Sequence, residues 1–153
     1  MYLFALLILI IAIIYSAVIG QPFVSALNLF DIPSLMIITF ITMPMLLASG
    51  LFGDLKRAFK VIMVKNVTYT KLELQRSLEA VKLTIKLIMF SGIFGFLIGL
   101  ISIFKFVYSN LQALGPNLSV NLVLILYALF GCFILLPIQS KLKVLILSTS
   151  EEK

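Results

Sequence analysis

The sequence contains no histidine and a single cysteine, and only six of its side chains are acidic. Without histidine the chain lacks the commonest general base of enzyme sites. Cys132 cannot form an internal disulfide or a multi-cysteine metal site, and we interpret it as a small packing residue in a helix. We also find no carboxylate pair suited to a cleft and no glycine-rich phosphate loop after a strand. The sequence therefore predicts no enzyme, no metal site and no cofactor.

Charge of either sign is missing from four long stretches of the chain, at residues 1–30, 32–53, 87–104 and 106–140. Hydrophobic residues make up 62% of the sequence and charged residues 12%, whereas a soluble domain has roughly 45–50% and about 25%. Uncharged apolar runs of about 18 residues or more indicate transmembrane helices, because roughly 20 helical residues cross a 30 Å hydrocarbon core. The chain is therefore expected to be an integral membrane protein with one domain, 1–153.

The net charge is +6. The positive side chains are distributed along the chain as in a membrane protein, which argues against a nucleic-acid partner. Most lysines and arginines lie between Lys56 and Lys86, whereas residues 21–31 contain none. Basic residues stay on the cytoplasmic side of membrane proteins. We therefore expect both termini and the middle loop to be cytoplasmic, with the basic loop next to acidic lipid.

Turn and capping residues divide the chain into four predicted helices. Asp31 suits the N-cap of the second helix, and Thr70 with Glu73 has the spacing of a capping box before the third. Pro44 marks a position where helix two could kink, and apolar residues at helical spacing carry it past Gly53 into the cytoplasm. We predict an all-α membrane protein of four transmembrane helices, with short cytoplasmic extensions of helices two and three, at about residues 2–19, 33–63, 71–108 and 117–147.

The cytoplasmic part of helix three has an apolar stripe and a set of charges. The stripe predicts packing against the extension of helix two, or against the same helix of a neighbouring subunit. The charged residues are explained by a solvated helical stalk. The stripe comprises Leu74, Leu78, Val81 and Ile85, and the stalk charges are Arg57, Glu73, Arg76 and Glu79.

The membrane part of helix three carries small residues at helical spacing: Ser91, Gly92, Gly95, Gly99 and Ser102. In lipid, helices associate through close backbone approach and polar contacts, for which such a face is suited. One interpretation is packing against another helix. The other is a pore or groove that leaves room for water or for a foreign helix, and the two coincide if that helix belongs to a partner.

Two residues of helix four are also unusual for a membrane segment. An asparagine in lipid needs a partner, so Asn121 indicates a helix cap, an interhelical bond or an ion pathway. Pro137 removes one backbone hydrogen bond near the inner end and indicates a bend.

In order and spacing, these pieces resemble the MotA/TolQ/ExbB proton channel family, the membrane subunits of ion-driven bacterial motors and energisers. Four helices with both ends inside resemble MotA more than the three-helix ExbB and TolQ type. The matching segments are 30–35 before helix two, 77–81 before helix three, 92–100 within it, and 115–122 with 136–138 and 141–142 in helix four.

The resemblance implies a homo-oligomer, a pentamer in the family's pattern, in the bacterial cytoplasmic (inner) membrane. Helices three and four would line a central channel around a single-span MotB/ExbD-like subunit carrying a membrane Asp. Protonation of that Asp would drive stator-like motor work, which explains why this chain needs no acid of its own. The pore-facing or partner-facing positions implied are Ser91, Gly92, Gly95, Phe96, Gly99, Ser102, Asn121, Leu124, Ile125 and Pro137.

The sequence departs from the family at three of these positions. Phe96 stands where the family usually has a threonine, and Leu124 and Ile125 stand where it often has threonines. Loss of these hydroxyls favours an alternative, a structural or regulatory membrane ring that does not conduct. A small multidrug-type transporter is excluded because it would need a membrane-embedded carboxylate.

Overall fold

The structure, a computed structural model, describes residues 4, 7–12, 15, 31–63, 69–107 and 111–151. Within this part of the chain the regular structure is helical, without strands, so the all-α prediction is confirmed. The helices are α1 (Ile32–Ala48), α2 (Phe52–Met63), α3 (Lys71–Val107) and α4 (Leu114–Glu151), with a 3-10 turn at Leu111–Ala113. The predicted first helix, 2–19, lies largely outside the described residues, and a total of four transmembrane helices remains a prediction.

Helix α1 begins as its sequence predicts. The Asp31 carboxylate accepts a hydrogen bond of 3.2 Å from the Ser34 backbone N–H, and Pro33 lies in the first turn. The backbone N–H of Asp31 donates to the Tyr127 hydroxyl of α4 at 2.9 Å. The cap therefore starts the helix and also ties its outer end to α4.

The prediction of one continuous helix over 33–63 is wrong, because the chain turns by 104° between α1 and α2. The turn lies at Gly50, whose φ of 70° is a left-handed conformation that favours glycine. The Gly50 N–H donates to Leu47 O at 3.0 Å, and the Ser49 N–H donates to Met45 O at 3.1 Å. This is a helix C-terminus. Pro44, where the sequence placed a possible kink, lies within α1.

The two longest helices form an antiparallel hairpin. The Thr70 hydroxyl accepts from the Glu73 N–H at 3.3 Å and the Glu73 carboxylate accepts from the Thr70 N–H at 3.0 Å, which confirms the capping box. Helix α3 has 37 residues and is about 55 Å long at 1.5 Å per residue. Helix α4 begins three residues before the predicted start, with Pro116 in its first turn, where a missing N–H is tolerated.

Two of the described helices, α3 and α4, are long and apolar enough to cross a membrane, and α1 with α2 counts as a third if the bent pair is one span. A buried cluster joins α2 to the hairpin. The apolar stripe of α3 packs there against α2, the first of its two predicted partners, and also against α4. The buried members are Ala58, Val61, Leu74, Val81, Leu135, Ile138 and Leu142.

Candidate functional site

The glycines of α3 form a seam with α4 of the same chain; we call Gly92, Gly95 and Gly99 the glycine seam. A Cβ atom on Gly92 would lie less than 3.0 Å from the Cβ of Ala128, and one on Gly99 less than 3.0 Å from the Asn121 amide. A Cβ on Gly95 would lie 2.5 Å from Leu124 Cδ2 and 3.1 Å from Ile37 of α1. The seam therefore permits a backbone approach that any side chain would prevent.

Asn121 forms an interhelical bond across this seam. Its Nδ2 donates to the Phe96 carbonyl at 3.0 Å, and its side chain lies over Gly99. The interhelical bond is one of the three interpretations left open by the sequence, and a place on an ion pathway stays a prediction. The contact satisfies a group that would otherwise be costly in lipid.

Three positions where the family often has threonines, Phe96, Leu124 and Ile125, are apolar in this chain and lie in or beside the same seam. Leu124 is 2% exposed and fills the space opposite Gly95, whereas Phe96 and Ile125 are half-buried. The Leu124 side chain therefore supports the packing of α3 on α4. Whether any seam residue faces a pore or a partner in an assembly stays a prediction.

A buried pair of hydroxyls joins α1 to α3, and sequence reasoning identified only one of them. Ser91 Oγ lies 3.3 Å from Thr42 Oγ1, and it also lies 2.7 Å from the Leu87 carbonyl. Thr42 was missed because its partner is 49 residues away. The available signal was a hydroxyl within an otherwise apolar helix. The pair adds a polar interhelical contact beside the seam.

The remaining predicted membrane positions lie on outward faces. Ser102 is exposed and donates to its own helix, at the Ile98 carbonyl, at 3.0 Å, and Pro137 is exposed within α4. The rest of these faces is strongly apolar and suits lipid or another subunit. The large exposed side chains include Phe90, Phe94, Leu97, Ile101 and Phe104 on α3, and Leu122, Leu126, Leu129, Phe133 and Leu136 on α4.

Beneath the seam, Asp54 of α2 joins three of the four predicted stalk charges into a cluster. Its carboxylate lies 2.5 Å from Arg57 Nη1 and 3.1 Å from Arg76 Nη2, and Arg57 Nη2 lies 3.9 Å from Glu73 Oε1. Asp54 is 5% exposed, so it is the buried centre of this network. The predicted solvated stalk is thus partly an ordered ion-pair cluster linking α2 to α3.

Glu79 lies apart from that cluster. Its carboxylate pairs with Lys82 Nζ at 2.6 Å, one turn along α3, and both side chains are well exposed. Such a pair contributes about 0.3–0.5 kcal/mol. Glu79, like Arg76 with its side chain 58% exposed, fits the predicted solvated helix surface.

Glu73 gives the base of α3 a pH dependence. Hydrogen bonds from the Thr70 backbone N–H and hydroxyl, with a smaller effect of Arg57, lower the pKa of the Glu73 carboxyl. A lowered folded-state pKa stabilises the fold above the unfolded pKa, and this contribution is lost as pH falls through the folded value. Acidification below about pH 4 should therefore lower the amide-exchange protection factors, which are corrected for the intrinsic exchange rate at each pH, at residues 71–74. Glu73→Gln should remove that pH dependence, whereas Glu79→Gln should leave it unchanged; equal profiles for both variants would contradict the cap's role.

With this geometry established, comparison with known proteins decides the family. The model of the MotA/TolQ/ExbB proton channel family matches residues 42–153. The chain belongs to the MotA/TolQ/ExbB proton channel family. The match begins inside α1 and includes the glycine seam, the hydroxyl pair and the charged cluster. Together with its apolar helices, it identifies a multi-pass membrane protein. Searches of curated proteins and of solved structures gave no match.

Proposed function

We propose that this chain is the membrane subunit of a proton- or sodium-driven motor or energiser complex in the bacterial inner membrane. In this proposal several copies form a ring around single-span MotB/ExbD-like helices, and the chain catalyses no reaction of its own. The family match over 42–153 is the observation that supports it best. The proposed ring places the outward apolar faces of α3 and α4 against neighbouring copies, partner helices or lipid.

The uncharged segments of α1, α3 and α4 indicate which subunit would supply the titrating group. Residues 32–53, 87–104 and 106–140 contain no charged side chain. A titrating carboxylate inside a membrane usually lies on an ion pathway, and here the partner would have to supply it. In this proposal the seam holds α3 and α4 together as one side of the ring's central channel. The partner's Asp carries the proton or sodium ion.

An assembly experiment tests this proposal. Co-expression with the product of a neighbouring gene that encodes one membrane helix containing an Asp should give a complex, and we expect five copies of this chain around two partner helices by native mass spectrometry. The matched control is the same partner with its Asp replaced by Asn, which should still assemble. A chain that remains monomeric with every such partner in lipid nanodiscs would contradict the proposal.

A non-conducting structural or regulatory ring of the same fold is the second candidate. Its support is that polar groups near the seam bond within the chain, Asn121 to the Phe96 carbonyl and Ser91 to Thr42, while the apolar Leu124 fills the space opposite Gly95. In this candidate these groups serve packing and receive no carboxylate from a partner. The two candidates differ in one measurable property, the passage of ions.

A further inference from the structure

Helix α2 lies beneath the uncharged part of α3. Helix α1 runs antiparallel to α3, with Ile37 beside Gly95 and Thr42 beside Ser91, so it follows the uncharged segment 87–104. Six residues beyond Thr42, at about 1.5 Å each, α1 ends near the level of Ile85. The first charged residue on α3 at this end is Lys86, whereas α4 stays uncharged as far as Ser140. We take Lys86 as the inner edge of the hydrocarbon.

From that edge, α2 runs across the bundle. It is turned by 104° from α1. It shares a buried cluster with Val81 and Leu74 of α3, and it pairs with Glu73. Val81 and Glu73 are five and 13 positions below Lys86, or about 8 and 20 Å along the helix. The headgroup layer occupies roughly the first 5–8 Å beyond the hydrocarbon. The upper edge of this contact, at Val81, therefore borders on the headgroups.

The two flanks of α2 differ in a way that orients it. One flank carries Asp54 and Arg57, which contact Arg76 and Glu73 on the part of α3 that is farther from the membrane. On the opposite flank, Phe59 packs against the buried cluster shared with α3 and α4, which leaves the half-buried Phe52 and the exposed Met63 at the surface. Since the ionic flank packs toward the part of α3 that is farther from the membrane, Phe52 and Met63 lie on the flank that is nearer to it.

Between these flanks lie two lysines with no acidic partner among the described residues. Lys56 and Lys60 are one turn apart and exposed, and Lys56 Nζ lies 4.7 Å from the centroid of the Phe52 ring. Asp54 is already paired with two arginines. The outward face of α2 thus carries uncompensated positive charge at the border of the headgroup layer.

We propose that α2 is an interfacial helix that binds anionic phospholipid headgroups through Lys56 and Lys60, with Phe52 and Met63 at the acyl boundary. An amphipathic helix with lysines beside aromatic residues binds a membrane surface in this way, and each lysine near an anionic surface adds attraction. This inference goes beyond the proposed function, because it requires neither a partner nor ion flux. It assigns α2 to the membrane, whereas a simple extension of a transmembrane helix would project into water.

A tryptophan reporter tests the proposal cleanly, since the chain contains no tryptophan. The full chain with Met63→Trp is reconstituted in bilayers that contain either a brominated anionic lipid or a brominated zwitterionic lipid, at equal total anionic content. We expect the brominated anionic lipid to quench the tryptophan fluorescence about twofold more strongly or better, because the lysines attract anionic headgroups. In the double variant K56Q/K60Q, the two lipids should quench the fluorescence equally. Leu72→Trp, an exposed position at the base of α3, is the matched control and should escape quenching.

Three results would overturn the proposal. The first is equal quenching of Met63→Trp by the two lipids, and the second is no quenching by either. The third is loss of the preference when soluble glycerol phosphate is added, because that identifies a general phosphate site. If Met63→Trp lowers the helical content of the chain, Phe52→Trp serves as the reporter on the same flank. The same three results would then overturn the proposal.

Discussion

Replacing Gly92 by alanine is expected to lower the free energy of unfolding by about 1–3 kcal/mol, the usual cost of overpacking a tight contact. The added Cβ would come within 3.0 Å of the Ala128 Cβ, which is fixed to the α4 backbone and cannot rotate away. The two helices would have to separate along the seam, weakening the neighbouring contacts of Gly95 and Gly99. Unfolding in mixed detergent micelles, followed by circular dichroism, measures the loss.

Two further variants make this prediction specific. Combining Gly92→Ala with Ala128→Gly should restore much of the loss, because the second change returns the space that the first one fills. Gly115→Ala is the matched glycine control: no atom lies within 4 Å of its added Cβ. If Gly92→Ala were as stable as Gly115→Ala, the seam would not be a close contact in the folded protein.

Asp54→Ala should release α2 from the hairpin, at a cost of about 1–3 kcal/mol for loss of a buried charged partner. Arg57 and Arg76 would remain without their common acceptor, although their side chains, 31% and 58% exposed, can turn to water. Trypsin provides the measurement, because α2 contains Lys56, Arg57 and Lys60. Cleavage within α2 should accelerate several-fold in micelles.

The control for this change is Glu79→Ala, which also removes an acidic partner from a basic side chain. Its pair with Lys82 is exposed, so the loss should be about 0.5 kcal/mol or less, with little change in cleavage within α2. Identical cleavage of the Asp54 and Glu79 variants would show that the charged cluster does not hold α2 in place.

Local sequence patterns predicted much of the fold because their determinants lie within a few residues. The Asp31 cap, the Thr70–Glu73 box and the uninterrupted run of α3 depend on neighbours along the chain. The apolar stripe of α3 also indicated α2 as a partner, since both carry apolar residues at helical spacing. The helix ends that these signals define agree closely with the structure.

Other features depend on contacts between distant residues. The bend at Gly50 was missed because apolar residues continue on both sides of it, and Pro44 gave a stronger local signal. Whether the glycines of α3 meet α4 of the same chain or a foreign helix is decided by the hairpin's register. Asp54 was not among the predicted stalk charges, because its contact with Arg76, 22 residues away, is what places it at the centre of the cluster.

Proton flux through proteoliposomes is the measurement that tests the central proposal most directly. A purified complex of this chain with its single-span partner should carry protons or sodium ions down an imposed gradient. Flux should be absent for this chain alone, whose segments 32–53, 87–104 and 106–140 carry no charged side chain, and for a complex whose partner Asp is replaced by Asn. An intact complex that passes neither ion would contradict a motor subunit and favour the non-conducting ring.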